Sequence, residues 1–224
     1  MTTAPIDALP DFRLIVITDH ALARPRTVSD IVRACLEAGA PVIQLRDKHA
    51  TARELFDQAR RLRDLTARFD ARLIVNDRLD VALAAHADGV HLGPDDLPIK
   101  AARRAAAPPF IIGFSTDDPA EAARAQAEGA DYIGCGAVFG TTTKAEVGEE
   151  RIGPAGLAAV ARAVDIPVVG IGGIGPANVA ALAGTGAAGI AVIGAIMTAD
   201  EPAAVTRALL AACHDFARTR DQDR

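Results

Sequence analysis

Two aspartates at the ends of short aliphatic runs are the first residues in this chain that could do chemistry. Leu73-Ile-Val75 stops in Asn76-Asp77, and Gly89-Val-His-Leu-Gly93 leads to Asp95-Asp96. Each run reads as a buried strand. If the two strands are parallel neighbours, their C-terminal ends place Asp77 and Asp96 on one rim. Carboxylates converging there suit a hard divalent ion such as Mg²⁺, which takes oxygen ligands and shares them with a substrate's phosphates. The same positions favour Asp as a helix N-cap, so this stretch alone supports both readings.

Other strand ends carry groups suited to anions. In Gln44-Leu45-Arg46-Asp47-Lys48 the two-residue period puts Gln44, Arg46 and Lys48 on one face and turns Leu45 toward the helices. Two cations and an amide there suit a diphosphate, with Arg46 able to grip two oxygens at once. Ser115 ends another run, where a hydroxyl is most often a cap. Gly140 followed by Thr141, Thr142, Thr143 and Lys144 supplies backbone amides, hydroxyls and an ammonium, an anion cradle without the glycine spacing of a nucleotide P-loop. Gly170-Ile-Gly172-Gly173-Ile-Gly175 and the Ile193-Gly194 turn are places where backbone can approach a phosphate closely. His91, inside a strand, reads as a structural residue of the interior. The chain thus carries two anion sites, one assisted by metal and one formed by glycine loops.

These residues need a frame. The 224 residues suffice for one well-buried domain, and 50% are hydrophobic without a run of eighteen apolar residues. A net charge of −5 argues against a protein that lives on nucleic-acid backbones, and no signal peptide is legible at the start. Cys35, Cys135 and Cys213 are widely spaced and read as buried small hydrophobes in a reducing compartment, hence the cytoplasm. Strands are expected at 14–18, 42–46, 73–75, 89–92, 110–114, 131–135, 167–171 and 189–193. Helices are expected at 27–38, 51–68, 79–87, 98–106, 118–129, 154–164, 176–183 and 201–217. Eight strands alternating with eight helices fit a single (β/α)₈ TIM barrel over residues 1–224, with a flexible leader at 1–12 and tail at 219–224; an open doubly wound sheet is the alternative. In such a barrel the site lies at the C-terminal ends of the strands.

Five segments in series, 44–48, 76–80, 89–98, 136–144 and 171–174, resemble the signatures of the thiamine phosphate synthase family. The resemblance implies a Mg²⁺-dependent transferase that joins 4-amino-2-methyl-5-(diphosphooxymethyl)pyrimidine to thiazole phosphate carboxylate, releasing pyrophosphate and CO₂. It implies that Gln44 to Lys48 and Asn76 hold the pyrimidine diphosphate, that Ser115 and Lys144 also contact it, and that Asp77 and Asp96 ligate Mg²⁺. Thr141 to Thr143, Gly173, Ile193 and Gly194 would then hold the thiazole phosphate. Arg46, Lys48, Lys144 and Ser115 are the expected catalytic residues. Partners are small molecules, with neither nucleic acid nor membrane, and a homodimer is left open.

The sequence departs from the family pattern at Pro94, Gly140 and Gly194, where Gln, Pro and Ser are commoner, which bears on affinity rather than on the metal pair or the cations. Two other functions compete. The related thiazole tautomerases share the phosphate loops but use a His after strand five, where this chain has Ser115-Thr-Asp-Asp. A metabolite-binding barrel without turnover is the second.

Overall fold

In the computed structural model the described residues are 9–140, 151–214 and 216. Among them, eight short strands close a parallel barrel in sequence order: β1 (Leu14–Ile17), β2 (Val42–Leu45), β3 (Arg72–Asn76), β4 (Gly89–Leu92), β5 (Ile111–Ser115), β6 (Tyr132–Cys135), β7 (Val168–Ile171) and β8 (Gly189–Val192). The strands are near-continuous aliphatic runs because both of their faces are covered, one by the barrel interior and the other by helices. The ladder closes where β8 pairs with β1, Ile15 opposite Ala191.

The helices begin and end where local chemistry dictates. After α1 (His20–Ala23) and α2 (Val28–Glu37), α3 (Ala52–Ala67) opens with a complete capping box. The Thr51 amide donates to Glu54 Oε2 at 2.8 Å, and the Glu54 amide to Thr51 Oγ1 at 3.3 Å. Next come α4 (Leu79–Ala84), α5 (Ile99–Ala105) and α6 (Pro119–Glu128), the last capped by Asp118 and closed by Gly129 at φ +103°. Then α7 (Gly153–Ala163), α8 (Gly194–Met197) and α9 (Pro202–Ala212) complete the outer layer. Where a full helix was expected over 176–183, only a 3₁₀ turn forms, Val179–Leu182. The chain leaves it through Gly184 and Gly186, both at φ +77°, so glycine turns and not a long helix bridge β7 to β8.

Two aspartates latch the N-terminal face. Asp88, just before β4, accepts from the Leu73 amide at 2.7 Å and from Arg63 at 2.7 Å, and Arg72 approaches it at 3.4 Å. Asp131, just before β6, accepts from the Ile112 amide at 2.7 Å and from Arg103. The leader, expected to be flexible through residue 12, instead ends in the core. Phe12 is buried with its ring 4.6 Å from that of Tyr132, and its carbonyl lies 2.0 Å from where a Cβ on Gly189 would sit. The three cysteines are free thiols, all buried. None of the described helices is long and apolar enough to cross a membrane.

Candidate active site

Strand pairing carries Asn76 to the end of β3 beside His91 of β4. The next residue, Asp77, turns the chain off the sheet at φ +62°, with its amide donating to the His91 carbonyl at 2.8 Å. Asp96 is fixed from the neighbouring loop, where its Oδ2 accepts from the Gly93 amide at 2.7 Å. Neither carboxylate caps a helix: Arg78 and Pro98 occupy the N-cap positions of α4 and α5, without side-chain caps. The two carboxyls meet. Burial, then the charge of Asp96 and a hydrogen bond to it, push the Asp77 carboxyl up to about 6, against the pull of Lys48 and Arg46. Two oxygen donors with surplus negative charge fit a cation such as Mg²⁺, which keeps waters and substrate oxygens for the rest of its shell. No group of three or more candidate ligands occurs among the described residues.

The end of β2 is held by a residue that sequence reasoning passed over. Thr18, fully buried, accepts from the Arg46 amide at 3.0 Å and donates to the Arg46 carbonyl at 3.2 Å. Arg46 Nη1 lies 3.7 Å from Asp19. Gln44 faces the interior, while Leu45 is buried on the helix side, beside Val28 and Leu62. Asp47 also turns outward. Its carboxylate accepts from the His49 and Ala50 amides at 3.1 and 3.2 Å and from Gln58 at 3.1 Å, so it shapes the loop that carries exposed Lys48. Burial raises and these donors lower its pKa, and the net displacement is downward.

Across the rim a cleft of about 1040 Å³ runs from Ser115 to the glycine loops after β7 and β8. Gly172 and Gly173 have φ of +101° and +65°, conformations costly for any side chain. Asn178 staples this turn: its Oδ1 accepts from the Gly175 amide at 2.9 Å and its Nδ2 donates to the Gly173 carbonyl at 2.8 Å. Ile193 and Gly194 line the same cleft where β8 passes into α8, whose first amides lack intrahelical acceptors. Arg151 is a further cation on the wall, missed because it follows the threonine segment at a distance. Thr141, Thr142, Thr143 and Lys144 lie outside the described residues.

Beneath the cleft a cavity of about 30 Å³ is lined by Gln44, Arg46, Asn76, His91, Ser115 and Tyr132, among others. Ser115 borders both spaces. Asp77, Asp96 and Lys48 line neither, and stand on the rim beside them. Ser115 is no helix cap, since Asp118 fills that position for α6. Its Oγ lies 2.7 Å from His91 Nε2. The arrangement can therefore bind a diphosphate on one side and a phosphomonoester on the other, with an oriented hydroxyl between.

Known proteins share this plan. Residues 14–196 match the family model described as thiamine monophosphate synthase. The thiamine-phosphate synthase of Chloroflexus aurantiacus is 47% identical over 201 residues, covering 90% of this chain and 92% of that protein. That of Haloarcula marismortui is 45% identical over 201 residues, covering 89% and 95%. The solved thiamine phosphate pyrophosphorylase from Pyrococcus furiosus superposes with a TM-score of 0.83 at 43% identity, covering 92% of this chain and 97% of the other. A 3-hexulose-6-phosphate synthase, at 22% identity and a TM-score of 0.67, shares the fold. The chain belongs to the thiamine monophosphate synthase family.

Proposed function

We propose that the rim carries out thiamine-phosphate synthesis, the activity of its family, by a dissociative substitution in the cytoplasm. Gln44, Arg46, Lys48, Asn76 and Ser115 hold the pyrimidine diphosphate, with Leu45 and Asp47 contributing backbone and loop shape. The bond between the methylene carbon and the diphosphate oxygen breaks, and the electron pair leaves with pyrophosphate. The thiazole nitrogen then supplies the pair for the new C–N bond, and the carboxylate departs as CO₂, leaving its bonding electrons on the thiazole portion, where a proton from solvent takes them up. Arg46, Lys48 and, by the family resemblance, Lys144 stabilise the charge that develops on the leaving group. Asp77 and Asp96 would hold Mg²⁺, which supplies further positive charge to the diphosphate oxygens. Gly173, Ile193 and Gly194, with Thr141 to Thr143 by the same resemblance, hold the thiazole phosphate. No side chain is required as nucleophile.

The observation that carries this reading is the meeting of Asp77 and Asp96 under the influence of Lys48 and Arg46, next to a cleft that ends in glycine turns. Incubating the purified protein with both substrates, with and without Mg²⁺, tests it. Pyrophosphate and thiamine phosphate should appear in equal amounts only with the metal. Binding of both substrates without product would leave a barrel that has lost turnover. Full turnover in the presence of a chelator would remove Asp77 and Asp96 from metal binding.

A further inference from the structure

A chain of buried polar groups crosses the barrel interior and ends at two of these substrate-facing residues. From β2, the Gln44 side chain hydrogen-bonds the Tyr132 hydroxyl. From β6, that hydroxyl lies 2.8 Å from His91 Nδ1, and on β4 the ring's other nitrogen, Nε2, lies 2.7 Å from Ser115 Oγ on β5. Gln44, Tyr132 and His91 are 3%, 1% and 8% exposed, so bulk water has little access to these groups. The sequence makes room for them. A Cβ on Gly113 would sit 2.3 Å from the Tyr132 ring and 2.5 Å from His91 Nδ1, and one on Gly134 would sit 3.0 Å from His91 Cε1. A His chosen only to fill an interior would not need two glycines to admit it and two hydroxyls to bracket it.

The chain can run in two directions, and only one of them frees the Ser115 hydrogen. A phenol has one hydrogen to give, and a neutral imidazole donates from one nitrogen while accepting at the other. In that direction the Gln44 amide N–H donates to the phenol oxygen of Tyr132. The Tyr132 hydrogen is then left for His91 Nδ1. An imidazole accepting at Nδ1 carries its hydrogen on Nε2 and donates it to Ser115 Oγ. The Ser115 hydrogen, unable to point back at the ring, is directed away from it.

We propose that His91 is a positioning residue that holds the Ser115 oxygen so that its O–H points into the substrate cavity as a donor to the pyrimidine diphosphate, with Tyr132 and Gln44 fixing the imidazole tautomer this requires. The proposal rests on the reading of Ser115 as a substrate contact. It also gives Gln44 a defined orientation: with its NH₂ on Tyr132, its carbonyl oxygen is the atom left to accept from a donor on the same substrate.

The test combines turnover with direct observation of the ring. ¹⁵N NMR of the wild-type protein should find His91 as the Nε2–H tautomer, and Tyr132→Phe should abolish that preference while keeping the ring stacked on Phe12. His91→Leu should lower kcat roughly 10²-fold, the scale on which an oriented donor acts, and leave KM for the thiazole phosphate unchanged. His91→Gln, whose amide can still donate to Ser115, should recover most of the loss. In a Ser115→Ala background, His91→Leu should cost less than about 3-fold more, because residues acting as a unit are not additive. An Nδ1–H tautomer, or losses from Ser115→Ala and His91→Leu that multiply, would overturn the proposal. If Ser115→Ala kept full turnover, the reading of Ser115 as a substrate contact would be the part that fails; His91→Leu failing alone would leave that reading intact.

Discussion

Replacing Asp77 with Asn is expected to stabilise the metal-free protein while abolishing most of its turnover. In the folded state the Asp77 carboxyl is raised from 3.8 to about 6, chiefly by burial and then by Asp96. Between about pH 4 and 6 the folded protein keeps a proton that the unfolded chain has released. Stability therefore falls as pH rises through that window, and the deficit is complete above pH 6. Two units correspond to ~3 kcal/mol, which solvent at the rim reduces to roughly 1.5 kcal/mol. For a domain of this size that is about 3–6 °C in Tm. At pH 8 without metal, Asp77→Asn should melt higher by that amount, and at pH 4.5 by about a third of it. Asn tolerates φ +62° at least as well as Asp, but that benefit is independent of pH and cancels in the comparison. Adding Mg²⁺ at about a hundred times its Kd contributes ~2.7 kcal/mol to the wild type alone and should reverse the ranking. Thermal melts at the two pH values, with chelator or with Mg²⁺, measure all of this. A difference in Tm that ignores pH, or a variant that melts lower at pH 8 without metal, would refute the idea that the carboxylates strain each other until a cation joins them.

Other substitutions probe the supports of the site. Asn178→Ala removes both bonds of the staple on the glycine turn and should raise KM for the thiazole phosphate about 10-fold, with pyrimidine diphosphate binding unchanged by calorimetry. Gly173→Val places a Cβ 2.1 Å from the Gly140 carbonyl, so it should displace backbone on both sides of the cleft and lower Tm, not merely block a phosphate; unchanged Tm would contradict this. Thr18→Val keeps the shape of a buried residue but leaves the Arg46 amide without its acceptor, and kcat/KM for pyrophosphate release should fall about 10-fold.

The barrel was legible because parallel strands buried on both faces are written as short aliphatic runs, most of them preceded by a Gly or a Pro-bounded turn; before β3 and β4, Asp70 and His86 take the left-handed φ instead. The 3₁₀ segment after β7 was not, because Pro176 to Ala183 has helix-forming alanines and its fate is decided by the Asn178 staple and the glycines that follow. Asp77 and Asp96 were read as either ligands or caps, and only the positions of Arg78 and Pro98 separate the two. Thr18 and Asn178 act on backbone groups brought to them by the fold or by a turn, so neither residue type nor spacing marks them. Asp47 lies within a recognisable segment, yet its carboxylate faces the loop and Gln58; alternation along a strand does not extend past the strand's end.

The latches on the far face bear on how such a barrel can be recombined. Asp88 ties β4 to β3 and α3, and Asp131 ties β6 to β5 and α5. Neither of these two latches crosses the junction between Asp96 and Ile99, the short run that carries the chain from β4 into α5. A chimaera of two relatives joined there would inherit each latch whole from one parent, with both metal-facing carboxylates from the same parent. A join inside α5, or between α3 and β3, would pair an arginine or a strand amide from one parent with an aspartate from the other. Half-barrels exchanged at residues 97–98 should therefore fold more often than those cut one element to either side, and the carboxylate pair with the β2 cations could be drawn from one ancestor and the glycine turns from another without disturbing the base that supports them.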